Sequence, residues 1–133
     1  MLFRSPLMVP AEELKKRTKA FAVRVVKLFR SLPKTDEARV IGRQMLRSAT
    51  SVAANYRAVC RARSKAEFAA KMGVVVEEAD ETVFWLEFVG DTEIIPAQRM
   101  DPLLREANEL LAIFAASHRT VRKRVEHKDS MNQ

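Results

Sequence analysis

Apolar residues recur along most of this chain at steps of three and four, which is the period of an amphipathic α-helix. The pattern predicts four helices, at about 11–31, 36–62, 64–89 and 97–125, separated by short links that contain Pro33, Gly90 and Pro96. Short links between long helices favour antiparallel neighbours. The predicted fold is therefore all-α, an antiparallel up-down-up-down four-helix bundle over residues 11–125.

The segments outside the bundle differ from it in pattern. Residues 1–10 contain two prolines and no helical period, which predicts an extended N-terminal arm that is either mobile or laid against a neighbouring subunit. Residues 126–133 predict a basic, polar tail that frays beyond about Val125. Pro102 either starts the main part of the fourth helix or kinks one that begins at Ala97.

The apolar stripes of the four helices define the predicted core. Its members are Phe21, Val25, Leu28, Met45, Val52, Met72, Val75, Ala79, Leu86, Leu111 and Phe114. Short side chains in the second helix, between Ser48 and Ala54, predict a seam where a partner helix approaches closely. Asn55 lies in that seam, and we expect it to be buried and hydrogen-bonded to Glu78 of the third helix, because an unpaired buried amide is costly.

Two local signals mark helix ends. Ser64 and Glu67 form a capping-box sequence, in which the serine oxygen accepts from the Glu67 N–H and the glutamate reaches back to the Ser64 N–H. Gly90 is the expected C-cap of the third helix, since glycine is common where a helix ends.

The third helix carries a second set of apolar residues that points away from its core stripe. At 100° per residue this outer set comprises Val74, Phe84, Trp85 and Phe88. Large apolar groups on an outer face favour a subunit interface, and the chain is predicted to be a homo-oligomer, with Leu2–Val9 of the arm as a clasp. The alternative is that Phe84 and Trp85 cover the end of the bundle.

The runs RSATSVAANYR, RARSKAEF, EEADE and WLEF resemble the four-helix-bundle family of 23S rRNA intervening-sequence proteins. The resemblance covers about Phe21 to Val121. Many members carry Asn-x-x-Glu-Gly at the end of the second helix, whereas Asn55 is followed here by Tyr56, Arg57, Ala58 and Val59. The resemblance implies assembly into rings, commonly of five bundles, and a related branch assists reverse transcription in diversity-generating retroelements.

Charge adds a second hypothesis. The 133 residues carry a formal net charge of +7, which suits anionic partners such as RNA or DNA. The positions predicted to contact them are Lys15, Lys16, Lys19, Arg119, Arg122, Lys123 and Arg124. A solvated helix face is the simpler interpretation of the early lysines. The single Cys60 and the lack of a signal-peptide pattern favour the cytoplasm, and no segment reads as a membrane span.

Catalytic signatures are missing from the sequence. Neither His118 nor His127 follows a glutamate by three positions, as a di-iron bundle requires, and Cys60 has no sequence signature that pairs it with a base. No metal and no cofactor is predicted. The leading hypothesis is thus a non-enzymatic, self-assembling structural or adaptor protein, and the alternative is a basic accessory protein that binds nucleic acid or a reverse transcriptase.

Overall fold

The computed structural model describes residues 9–132, and its elements are all helices. They are α1 (Ala11–Ser31), α2 (Asp36–Val59), α3 (Lys65–Asp91) and α4 (Ala97–Met131). Each helix packs on the next one along the chain. The predicted all-α four-helix bundle is confirmed. The clasp expected at Leu2–Val9 falls outside the described residues except for Val9, which packs against the edge of the core.

The core follows the predicted stripes with two exceptions. Nine of the eleven predicted positions are buried, and Leu28 and Leu111 are half-buried at the edge of the same cluster. Tyr56 of α2 and Phe114 of α4 meet in the centre with ring centroids 5.3 Å apart. Burial raises the pKa of the Tyr56 hydroxyl, because removal of water destabilises the charged phenolate more than the neutral phenol. One continuous core thus joins the four helices.

Side-chain caps start two of the helices. The Thr35 hydroxyl accepts a hydrogen bond from the Ala38 N–H at 3.3 Å, and the Ser64 hydroxyl accepts from the Glu67 N–H at 3.0 Å. The second half of the predicted capping box is wrong, since Glu67 accepts from the Arg63 N–H at 3.3 Å instead of the Ser64 N–H. Glu67 also pairs with Lys71 one turn later, at 3.0 Å.

The end of α3 corrects the role expected for Gly90. The helix runs on to Asp91, and the left-handed residue is Glu93, with φ of 59°. The N–H groups of Glu93 and Ile94 donate to the carbonyls of Gly90 and Val89 at 3.0 and 3.1 Å, which is a Schellman ending. Gly90 is buried instead where α4 begins, and a Cβ built on it would lie 3.3 Å from the Cα of Ala97.

Helix α4 is longer than the sequence pattern predicts. It begins at Ala97 and contains Pro102 within its second turn, so Pro102 does not start it. It continues past Val125 to Met131, and residues 126–132 are all exposed. The predicted fraying tail is therefore helical. Helix α2 stops at Val59, before the predicted end at 62.

The seam residue Asn55 has a different partner from the one expected. It is half-buried, and its amide donates to the carbonyl and the hydroxyl of Ser51 at 2.9 and 2.8 Å. Glu78 instead accepts from Arg47 at 3.2 Å. The predicted Asn55–Glu78 pair is wrong, because a serine one turn earlier on the same helix offers the amide two oxygens at no cost in helix separation.

Candidate assembly surface

Three aromatic rings lie together on the outer side of α3. Phe84 meets Trp85 edge-on at 4.8 Å between centroids and stacks with Phe88 at 5.6 Å, while Trp85 and Phe88 meet edge-on at 5.9 Å. Phe84 is 51% exposed and Val74 is 43% exposed, whereas the other two rings are half-buried. We call Val74, Phe84, Trp85 and Phe88 the aromatic face.

A polar network fixes the ring of Trp85. Its indole N–H donates to the Glu81 carboxylate at 3.1 Å, and the same carboxylate accepts from the guanidinium of Arg47. The hydrogen bond from Trp85, together with Arg47, holds the pKa of the Glu81 carboxyl below its usual value. Arg47 also binds Glu78, so α2 and α3 are joined at the edge of the aromatic face. The indole of Trp85 is thus oriented within a single chain.

The sequence around the aromatic face carries only acidic charges, and the cation at its edge, Arg47, comes from α2 and pairs with Glu78 and Glu81. No lysine or arginine occurs between residues 72 and 98 of the sequence. The same stretch contains seven carboxylates, on Glu77, Glu78, Asp80, Glu81, Glu87, Asp91 and Glu93. The C-terminal half of α3 and the turn that follows it therefore present apolar rings among carboxylates.

A positively charged surface lies where the link between α2 and α3 meets the C-terminal part of α4. A hollow of about 320 Å³ lies there, with Phe68 and Val121 as apolar lining and cations from Arg63, Lys65 and Arg124. We call it the basic groove. Residues 57–71 and 119–131 together contain ten lysines and arginines and three carboxylates. The positive charge of the chain is thus concentrated at this end of the bundle.

The predicted anion contacts do not form one cluster. Arg124 lines the basic groove, whereas Lys15 pairs within α1 with Glu12 at 2.8 Å. Arg122 lies 3.9 Å from Glu126 one turn along α4. The remaining predicted cations, Lys16, Lys19, Arg119 and Lys123, are exposed.

Residues 9–132 contain no group of three or more His, Cys, Asp or Glu placed to hold a metal ion. Cys60 is exposed just after α2. None of the four described helices is both long and apolar enough for a membrane span.

Comparison with known proteins gives the chain its family. The model for the 23S rRNA-intervening sequence protein family matches residues 12–116, which is most of the bundle. The chain belongs to this family. A crystal structure of a protein of unknown function from the S23 ribosomal protein family of Bacteroides thetaiotaomicron superposes with a TM-score of 0.75 at 31% identity. The match covers 82% of this chain and 97% of that one, and no curated protein matches the sequence.

The family match ends within α4, and the remainder of that helix has its own character. Residues 117–131 follow the matched region, and the Arg124 side of the basic groove lies among them. Sequence reasoning selected Arg124 but missed Arg63, Lys65 and Phe68, which the fold brings opposite it. The signal was available, since Arg63 and Lys65 flank the predicted helix start at Ser64.

Proposed function

We propose that this protein is a non-enzymatic building block of structural or adaptor type that assembles with copies of itself. The observation that carries the proposal is the aromatic face. Phe84 and Val74 are 51% and 43% exposed, so about half of the roughly 1.5–3 kcal/mol that full burial of such a side chain contributes remains available to a contact. An apolar cluster of this kind on a soluble protein is typical of a contact surface.

The fixed orientation of Trp85 supports a specific contact. Trp85 is held by Glu81, which is held in turn by Arg47, so little side-chain freedom remains to be lost when a partner binds. Aromatic residues in a well-ordered cluster are the side chains that contribute most to protein interfaces. We propose a closed ring, with five copies as the number that the family resemblance implies.

Light scattering coupled to size-exclusion chromatography tests the assembly. The parent is expected to elute at a multiple of the 15.1 kDa chain mass, and Phe84→Glu is expected to shift it toward one chain. Val23→Glu is the matched control, because Val23 is 46% exposed on α1, outside the aromatic face. A parent of one chain mass at micromolar concentration would end the proposal. An oligomer that survives Phe84→Glu would place its interface elsewhere.

A second function has one observation in its favour. The basic groove and the exposed cations of α4 suit the phosphates of RNA or DNA, as an accessory protein for nucleic acid or for a reverse transcriptase requires. Titration of a labelled RNA at two salt concentrations tests it. Binding that weakens steeply with salt would favour this function, and a flat response would exclude it.

A further inference from the structure

The aromatic face and the basic groove lie on the same helix but cannot meet within one chain. Phe68 of the groove and Phe84, the ring of the face that is nearest to it in sequence, are separated by sixteen residues of continuous α3, which is about 24 Å along the helix axis. A helix of this kind does not fold back on itself. If these two surfaces are in contact, they belong to different copies.

The two surfaces are opposite in charge. The aromatic face lies in a stretch that contains seven carboxylates and no cation, and the basic groove is flanked by Arg63, Lys65 and Arg124. A contact between two aromatic faces would bring like charges together, which opposes association. A contact between face and groove would pair carboxylates such as Glu77 with guanidinium and ammonium groups.

The apolar lining of the groove indicates which partner fits it. Phe68 and Val121 are half-buried in the groove, between the cations. A phosphate backbone would engage the cations and leave this apolar surface exposed. An aromatic ring would cover it, while the neighbouring arginines could lie against the ring faces of Phe84 or Trp85. The lining therefore favours a protein surface that is aromatic and acidic.

We propose that the basic groove of one copy receives the aromatic face of the next copy. The inference rests on the proposed self-assembly and names its second surface. Such a contact is heterologous, because it joins two different surfaces, the face of one copy and the groove of another. Repetition by a fixed rotation then gives a ring or an open chain in place of a two-fold dimer.

Complementation between two variants tests this arrangement. The face variant is Phe84→Glu, which leaves the groove intact. The groove variant is Lys65→Glu with Arg124→Glu, which leaves the face intact and alters two exposed side chains outside the Ser64 cap. The charge-matched control is Lys34→Glu with Arg39→Glu, two exposed cations at the α1–α2 turn. Circular dichroism establishes that each variant is folded.

Each variant alone is expected to run near one chain mass, because its self-association weakens by on the order of tenfold or more. An equimolar mixture is expected to run at two chain masses, since the groove of the face variant still accepts the face of the groove variant. The control is expected to keep the mass of the parent. The mixture carries one intact contact per pair, so it cannot grow further.

Three results would overturn the inference, and they have different consequences. A groove variant that keeps the mass of an oligomeric parent would show that the face meets another surface, which leaves the proposed self-assembly standing. Loss of RNA binding by that same variant, without loss of the oligomer, would assign the groove to nucleic acid. A parent of one chain mass would overturn the self-assembly as well.

Discussion

Helix α4 is joined to its two neighbours in different ways. Against α3 it packs closely, since Gly90 lies against the backbone of Ala97 and Gly73 lies against the side chain of His118. Against α1 it packs over a much shorter stretch, where Arg17 binds Glu106 through two hydrogen bonds of 2.7 and 3.2 Å. The same guanidinium reaches Glu109 at 3.0 Å.

The α3–α4 and α1–α4 interfaces should therefore contribute differently to stability. Small residues allow α3 and α4 to approach closely, and close approach maximises dispersion contacts and burial. An ion cluster does not require close approach, because long side chains span the gap while remaining partly in water. The α3–α4 pair should therefore carry most of the stability, and α1 should be the helix that opens first.

The largest expected effect is at the centre of the core. Phe114 is fully buried against Tyr56, so Phe114→Ala should lower the free energy of unfolding by about 3–5 kcal/mol. Urea denaturation measures the change. Val23→Ala, at an exposed position of α1, is the control and should cost less than about 0.5 kcal/mol. A loss below 1 kcal/mol at Phe114 would contradict the account of the core.

A smaller loss is expected where α3 and α4 come closest. The additional carbons of Gly90→Val would meet the backbone of Ala97, which cannot withdraw as a flexible side chain can. We expect a cost of about 1–3 kcal/mol despite the better helix propensity of valine. Ala70→Val, at an exposed position of the same helix, is the matched control. Equal stabilities of the two variants would show that the seam tolerates expansion.

The ion cluster of the looser seam should contribute less. Arg17 and Glu106 are each 22% exposed in their side chains, and Arg17→Met should cost about 1 kcal/mol. The cost should fall as salt rises, because the charges are partly screened. Arg122→Met is the control, since Arg122 and Glu126 are more than half exposed and 3.9 Å apart. A loss at Arg17 that is independent of salt would point to packing by its methylenes.

A gain of about the same size as the loss at Arg17 is expected at the turn between α3 and α4. Glu93 has φ of 59°, where a side chain is strained, and its charge lies at the negative end of a helix dipole. Glu93→Gly should stabilise the protein by about 1 kcal/mol, measurable as a higher Tm. Thr92→Gly, at a right-handed position, should destabilise it. A destabilised Glu93→Gly protein would show that the carboxylate has a role that its backbone conformation does not explain.

Interactions within one turn of helix could mostly be predicted from the sequence. Ser64 caps α3 because its hydroxyl acts over three residues, and the buried stripes follow from the helical period. Interactions between helices could not be predicted, because the helical period shows which side of the helix a residue is on and does not show which residue of another helix it contacts. Asn55 was assigned to Glu78 although Ser51 was closer, and nothing in the sequence joins Arg17 to Glu106 across 89 positions.

The sequence predicts that the aromatic face points outward, but it does not predict that the Trp85 ring is fixed by a hydrogen bond. The period placed Phe84 and Trp85 outward, and the structure adds the hydrogen bond that fixes the Trp85 indole on Glu81. The four-residue spacing of Glu81 and Trp85 permits that bond, but the Glu81 carboxylate could accept from many other donors, so the sequence does not single it out. Gly90 was misread because glycine serves both helix ends and close helix contacts, and the sequence does not separate these roles.

The continuity of α4 makes the basic groove sensitive to register. No break separates Phe114 in the core from Arg124 at the groove, so the core sets the angle at which Arg124 is presented. One residue inserted between them would turn every later side chain by about 100° and advance it by about 1.5 Å. Seven inserted residues would return Arg124 to nearly its original angle, about 10 Å further along the axis. The length of α4 between the core and the groove therefore sets both the position and the angle of Arg124.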